Sequence, residues 1–256
     1  MTQQPQADSP NSLSHWTNNG PVRIHYLDSN PTASSTEIPI VFVPGFGEEA
    51  MEYLGFIEAL RPHRTLIVDL RGRGRSDVPE TGYTIDDHAA DLDAVVRRIG
   101  AKQIHLVSFS RGTGYSMRWA TLNPGYLKSY TIGDYPAEQI VPPAWFHVKS
   151  ETSKWRGRPV NERMPVRAIR RMFADAVNLS MWDDLKRVRC PIQVIRGGAE
   201  GGMVDAARVA RYREVVADLR VETFEESGHD LWLPDPLRFP LRVAAFVAEA
   251  EARTPS

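Results

Sequence analysis

A chain of 256 residues that is 42% hydrophobic and 25% charged is long enough to bury one large core or two small ones. Its 31 Lys+Arg against 32 Asp+Glu leave a formal net charge of -1, which argues against a protein built to grip nucleic acid or an anionic membrane surface. One cysteine, Cys190, excludes an internal disulfide framework and a multi-cysteine zinc site. No apolar run approaches the roughly 18–20 residues of a membrane span, and Met1 to Asn19 carries no apolar secretory segment, so a soluble cytoplasmic protein is expected.

Residues 1–12 are rich in Gln, Ser and Pro and read as a disordered tail. The turn signal Asn18-Asn19-Gly20 before Arg23 to Leu27 predicts an antiparallel hairpin. Near-continuous apolar runs follow at Ile38 to Val43, Thr65 to Leu70, Ile104 to Phe109, Tyr130 to Ile132 and Ile192 to Ile195. Strands apolar on both faces are what a parallel sheet covered on both sides requires. Between them, Ile85 to Ile99 has helical spacing with Asp86 or Asp87 as a cap, Arg111 to Leu122 stops at Asn123-Pro124-Gly125, and Pro236 to Ala250 closes the chain. Strand and helix in alternation predict a doubly wound α/β core. The stretch 137–189 breaks that rhythm. It is rich in Trp, Met and Arg and has no convincing strand, so it is expected to be an inserted helical lid between core segments 13–136 and 190–256.

Two motifs carry chemistry. Ser108-Phe-Ser110-Arg-Gly112 lies where a buried strand meets a helix, the context of a nucleophile elbow that lifts a serine hydroxyl above the sheet. Small residues two before and two after Ser110 permit that turn, although Ser108 stands where a glycine is usual. An ordinary strand-to-helix turn containing a serine is the bland alternative. Gly228-His229-Asp230 follows the run Val221 to Phe224, so His229 sits in a late loop from which a general base could meet the serine.

Val43-Pro-Gly-Phe-Gly47, Asp69-Leu-Arg-Gly-Arg-Gly-Arg-Ser-Asp77, Tyr83 to Leu92, the Ser110 elbow and the Gly-His-Asp block occur in the order of the α/β-hydrolase fold superfamily, which the chain resembles from about Val22 to Ala248. The resemblance implies a mostly parallel central sheet flanked by helices, with a short helical lid. It implies a catalytic triad of Ser110, His229 and an acid, and an oxyanion hole formed by the backbone N–H groups of Phe46 and Arg111. The acid position after Ile192 to Ile195 falls on Glu200 in Arg196-Gly-Gly-Ala-Glu200, which is favoured. Asp134, at the end of the preceding strand, is the alternative acid, and Asp205 reads as a charge in a helix first turn. Asp69 and Arg71 are expected to hold their loop.

The expected activity is a serine hydrolase cleaving a carboxylic ester, thioester or lactone of a small, largely apolar substrate through an acyl-enzyme, with no cofactor and no metal. The alternatives are carbon–carbon bond hydrolysis on the same triad, or a non-catalytic ligand receptor or scaffold. The Arg111 side chain is expected in an ion pair with Glu48, Glu49 or Asp134, contact with an acidic substrate group being the alternative, and Glu48-Glu49 is expected in a solvated loop. From Lys149 to Arg189, eleven Lys+Arg face five acids, which reads as a solvated helix face. Nothing in the pattern sets an oligomeric state.

Overall fold

The computed structural model describes residues 12–34 and 37–253. The expected tail, apart from Ser12, lies outside the described residues. In chain order the core comprises β1 (Ser14–Asn19), β2 (Val22–Asp28), β3 (Ile40–Val43), α1 (Leu54–Ala59), β4 (Thr65–Asp69), α2 (Ile85–Ile99), β5 (Ile104–Phe109), α3 (Gly112–Leu122) and β6 (Leu127–Gly133). The intervening segment carries α4 (Ala144–Thr152), α5 (Val160–Arg163), α6 (Val166–Ala174) and α7 (Trp182–Leu185). The core resumes with β7 (Ile192–Gly197), α8 (Ala206–Val215), β8 (Leu219–Phe224) and α9 (Arg238–Ala252).

Among the described residues the main sheet has eight strands in the order β1-β2-β4-β3-β5-β6-β7-β8. The β1–β2 and β2–β4 pairs are antiparallel; every pair from β4–β3 to β7–β8 is parallel. The expected hairpin turns at Gly20, whose φ of 58° suits a residue without a side chain. Period-two alternation explains the continuous apolar runs. Val41 and Val43 enter the cluster under α2, α3 and α8, while Ile40 and Phe42 enter the opposite one under α1 and α9. Helix α2 spans Ile85–Ile99 as expected, but its N-cap is Thr84, two residues before the first acidic candidate, in a capping box with Asp87.

The segment 137–189 is mainly helical but not strand-free. Glu138–Gln139 pairs with Leu179–Ser180, and Lys154–Trp155 pairs with Arg158–Pro159. In α6 the residues Ala168, Ile169, Met172 and Phe173 are buried while Arg167, Arg170 and Arg171 face solvent. The solvated helix face expected of the basic run holds for these three arginines, whereas Arg163 is buried and paired with Glu52 at 2.7 Å.

The interior also stores a pH dependence. His105 on β5 is fully buried with Nδ1 2.7 Å from Ser129 Oγ, and burial, aided by the charges of His63 and Lys128, pushes its pKa down to about 3. The unfolded chain protonates this histidine near pH 6.5 and the folded chain does not, so stability is full above pH 6.5 and is lost as pH falls toward 3. Glu251, 3.6 Å from Nε2, opposes part of the loss. Urea unfolding is expected to show roughly 2–3 kcal/mol less stability at pH 4 than at pH 7 from this group, and His105→Asn to flatten the profile by that amount. An unchanged slope in the variant would contradict the assignment.

Candidate active site

Ser110 follows β5 directly and takes a φ of 52°, a left-handed conformation strained for a residue with a side chain. Three features hold the turn. Ser110 N–H donates to Gly133 O at 2.9 Å, Thr113 N–H donates to Ser110 O at 2.9 Å, and α3 starts hard against the end of β3 at Gly112. A Cβ on Gly112 would lie 2.2 Å from Pro44 O and 2.6 Å from Val43 O. Ser108 is tolerated in place of glycine because its hydroxyl joins a buried polar chain. Its Oγ is 3.0 Å from Thr113 Oγ1 and 3.2 Å from Tyr130 OH, which is 2.8 Å from Ser116 Oγ. Burial pushes the Tyr130 phenol upward and keeps it a neutral partner in that chain.

His229, in the loop after β8, reaches Ser110: Nε2 and Oγ are 2.7 Å apart. Its Nδ1 is 2.8 Å from Asp134 Oδ2. An ionised carboxylate only accepts, so Nδ1 carries the proton and Nε2 is free to accept from the serine hydroxyl. Phe109 backs the imidazole in a stack at 5.1 Å.

The acid that meets His229 is thus Asp134, and the preference for Glu200 is corrected. Asp134 is the first residue beyond β6, fully buried, with a φ of 43°. Besides His229, it accepts from the N–H groups of Gly197 (3.3 Å), Met203 (2.9 Å) and Val204 (3.2 Å). The loop after β7 therefore presents backbone donors to Asp134 and leaves Glu200 exposed on a turn, with only its carbonyl packed toward Gly228. Asp205 caps α8, accepting from Arg208 N–H at 2.8 Å.

Gly45 packs so closely that its Cβ would lie 2.9 Å from Ser110 Cβ, which brings Phe46 beside the serine. The backbone N–H groups of Phe46 and Arg111 donate to no acceptor among the described residues. Glu48 departs from the solvated loop expected for it. It is 1% exposed, accepting from Gly45 N–H at 2.5 Å and Trp155 Nε1–H at 2.7 Å. Arg111 also departs from expectation. Glu48 is turned inward, Glu49 pairs with Arg158 at 2.8 Å and Asp134 faces His229, so Arg111 donates instead to Tyr115 OH (3.0 Å) and Ile140 O (3.1 Å). Asp69 and Arg71 brace their loop through separate partners, His25 at 2.7 Å and Asp91 at 2.7 Å.

Trp155 and Arg156 bring the 137–189 segment to the same place. Arg156 holds Asp230, next to His229, through two hydrogen bonds of 2.9 and 2.6 Å, and lies 4.5 Å from the Trp232 ring centroid. This cluster could not be found by spacing, because it joins residues far apart in the chain. No group of His, Cys, Asp and Glu among the described residues is arranged to hold a metal ion.

A family model described as alpha/beta hydrolase fold matches residues 38–138, and solved structures of that architecture superpose on nearly the whole chain. The chain has the α/β-hydrolase fold. This α/β-hydrolase-fold protein is 25% identical, over 81% of its length and 86% of the relative's, to the N-formylmaleamate deformylase of Pseudomonas putida. It superposes on E-2-(acetamidomethylene)succinate hydrolase with a TM-score of 0.74 at 18% identity, covering 92% of this chain and 99% of that one. An esterase from a Rhodococcus species gives a TM-score of 0.76 at 18% identity, covering 93% and 99% of the two chains.

Proposed function

We propose that this α/β-hydrolase-fold protein is a serine hydrolase that cleaves an acyl bond, with carboxylic esters the primary substrate class. The observation that carries the proposal is the continuous hydrogen-bonded line from Ser110 Oγ through His229 to Asp134, at 2.7 and 2.8 Å, hung from a strained strand-to-helix turn. A serine hydroxyl is a weak nucleophile at neutral pH. In the proposed mechanism His229 Nε2 takes its proton as Oγ attacks the carbonyl carbon, and Asp134 holds the tautomer and stabilises the imidazolium. The oxyanion develops against the free N–H groups of Phe46 and Arg111. His229 returns the proton to the leaving group as the acyl bond breaks. Water then attacks the acyl-serine, with His229 as base, and releases the acid.

A second reading, cleavage of an N-acyl bond by the same steps, is supported by the similarity to a deformylase over 81% of the chain. Intact-mass analysis after fluorophosphonate treatment tests the shared step. One adduct on the wild type, absent from Ser110→Ala, is expected. No adduct on folded wild-type protein would favour a receptor or scaffold.

A further inference from the structure

Buried guanidinium groups in this fold are generally matched to a carboxylate. Arg64 meets Asp28 at 2.6 Å, Arg71 meets Asp91 at 2.7 Å and Arg163 meets Glu52 at 2.7 Å. Arg73 and Arg111 are not. They are 1% and 6% exposed, yet their hydrogen-bond partners are all neutral oxygens. Arg73 donates from Nη1 to Gly45 O at 2.9 Å, and Arg111 donates to Tyr115 OH and Ile140 O. Arg73 Nε and Nη2 and Arg111 Nη2 are left buried without a partner. An unpaired charge in the interior is strongly unfavourable, so two in one place need a physical explanation.

They do lie in one place. Their guanidinium carbons are 5.8 and 5.9 Å from the centroid of the same Tyr115 ring. His88 stacks on that ring at 4.1 Å and adds no compensating charge; burial first, then the charge of Arg73, drives its pKa well below 6.5. The position relative to the serine is equally specific. Arg73 grips the carbonyl of Gly45, the residue packed on Ser110, and Arg111 is the residue after Ser110. Phe173 lies 5.8 Å from Arg111, packs on Phe46 and Phe146 and stacks on His147 at 4.2 Å, so aromatic rings wall this corner and none of its neutral groups offsets the two cations. In such surroundings a carboxylate gains far more from a planar guanidinium than it would in water.

We propose that Arg73 and Arg111 form a carboxylate-binding subsite beside Ser110, so that the preferred substrates carry a free carboxylate close to the scissile acyl group. This rests on the serine-hydrolase reading for its catalytic consequence, though not for binding. The arginines orient the anion and take no part in proton transfer.

The test compares mono-4-nitrophenyl succinate, which carries the carboxylate, with its methyl diester, which has the same acyl frame without the charge. The wild type is expected to favour the monoester in kcat/KM by on the order of a hundredfold. Arg73→Met and Arg111→Met are each expected to collapse that ratio toward one, whatever happens to the absolute rates. In parallel, succinate is expected to raise the Tm of the wild type and slow fluorophosphonate labelling of Ser110, and dimethyl succinate to do neither. Equal kcat/KM for the two esters, with no effect of succinate, would overturn the subsite and leave the serine hydrolase standing. If neither ester is cleaved and Ser110 is not labelled, the hydrolase reading fails. The succinate-dependent Tm shift in wild-type protein then decides the subsite alone: its presence supports the pair and its absence overturns it. Because the wild-type comparisons require no variant, misfolding of an arginine variant does not blunt the test.

Discussion

Replacing Asp134 with asparagine is expected to lower kcat on an activated aryl ester by about four orders of magnitude, while Glu200→Gln changes it by less than about twofold. Asp134 Oδ2 lies 2.8 Å from His229 Nδ1 and forces the proton onto that nitrogen. An asparagine amide can offer its own N–H there, which favours the other tautomer and leaves Nε2 unable to accept from Ser110. Glu200 is exposed on a turn, and its side chain is not among the partners of His229. Asp134 also accepts from Gly197, Met203 and Val204, so the asparagine variant should lose some stability too. Its Tm must accompany its rate. Near-full activity in Asp134→Asn with loss in Glu200→Gln would reverse the assignment.

Gly112→Ala is expected to be among the most damaging single-methyl additions to the core, costing roughly 3 kcal/mol or more of stability. The added carbon would meet Pro44 O at 2.2 Å, Val43 O at 2.6 Å and Pro44 C at 2.9 Å. All three are backbone atoms, so no side chain can rotate aside. Relief requires α3 to withdraw from the end of β3, which also parts Ser110 from the Gly45–Phe46 loop. Fluorophosphonate labelling should therefore slow by at least about a hundredfold in whatever protein still folds. Gly55→Ala, on the exposed face of α1 with open space around its Cβ position, is the control. It should stabilise the chain by up to about 1 kcal/mol through helix propensity. Equal Tm changes in the two variants would show that the close approach does not matter.

The core elements were legible because their signals are local. A strand buried on both faces must be apolar at every position, as in Ile40 to Val43, and an amphipathic helix must repeat at 3.6, as in Ile85 to Ile99. Ser110 and His229 were legible for a related reason: a tight elbow and a loop after the last strand have recognisable neighbours. The acid had no such signature. Asp134 and Glu200 both follow core strands, and sequence order admits either. Glu48 misled for the opposite reason, since adjacent acids read as solvated until Gly45 and Trp155 are brought to one of them.

By itself, then, the sequence determined the alternating α/β architecture, the strand-end position of Ser110 and the position of His229 in the loop after the last core strand. Each depends on residues within about one element of each other. Tertiary structure alone decided which carboxylate serves His229. In the sheet β6 lies beside β5, Phe109 pairs with Gly133, and one residue beyond that register Asp134 and Ser110 emerge at adjacent strand ends. It alone decided, too, that Arg73 and Arg111 converge on Tyr115 without a carboxylate. Partners across a fold are chosen by strand order, register and the direction of backbone donors, and none of these is written in the spacing of residues along the chain.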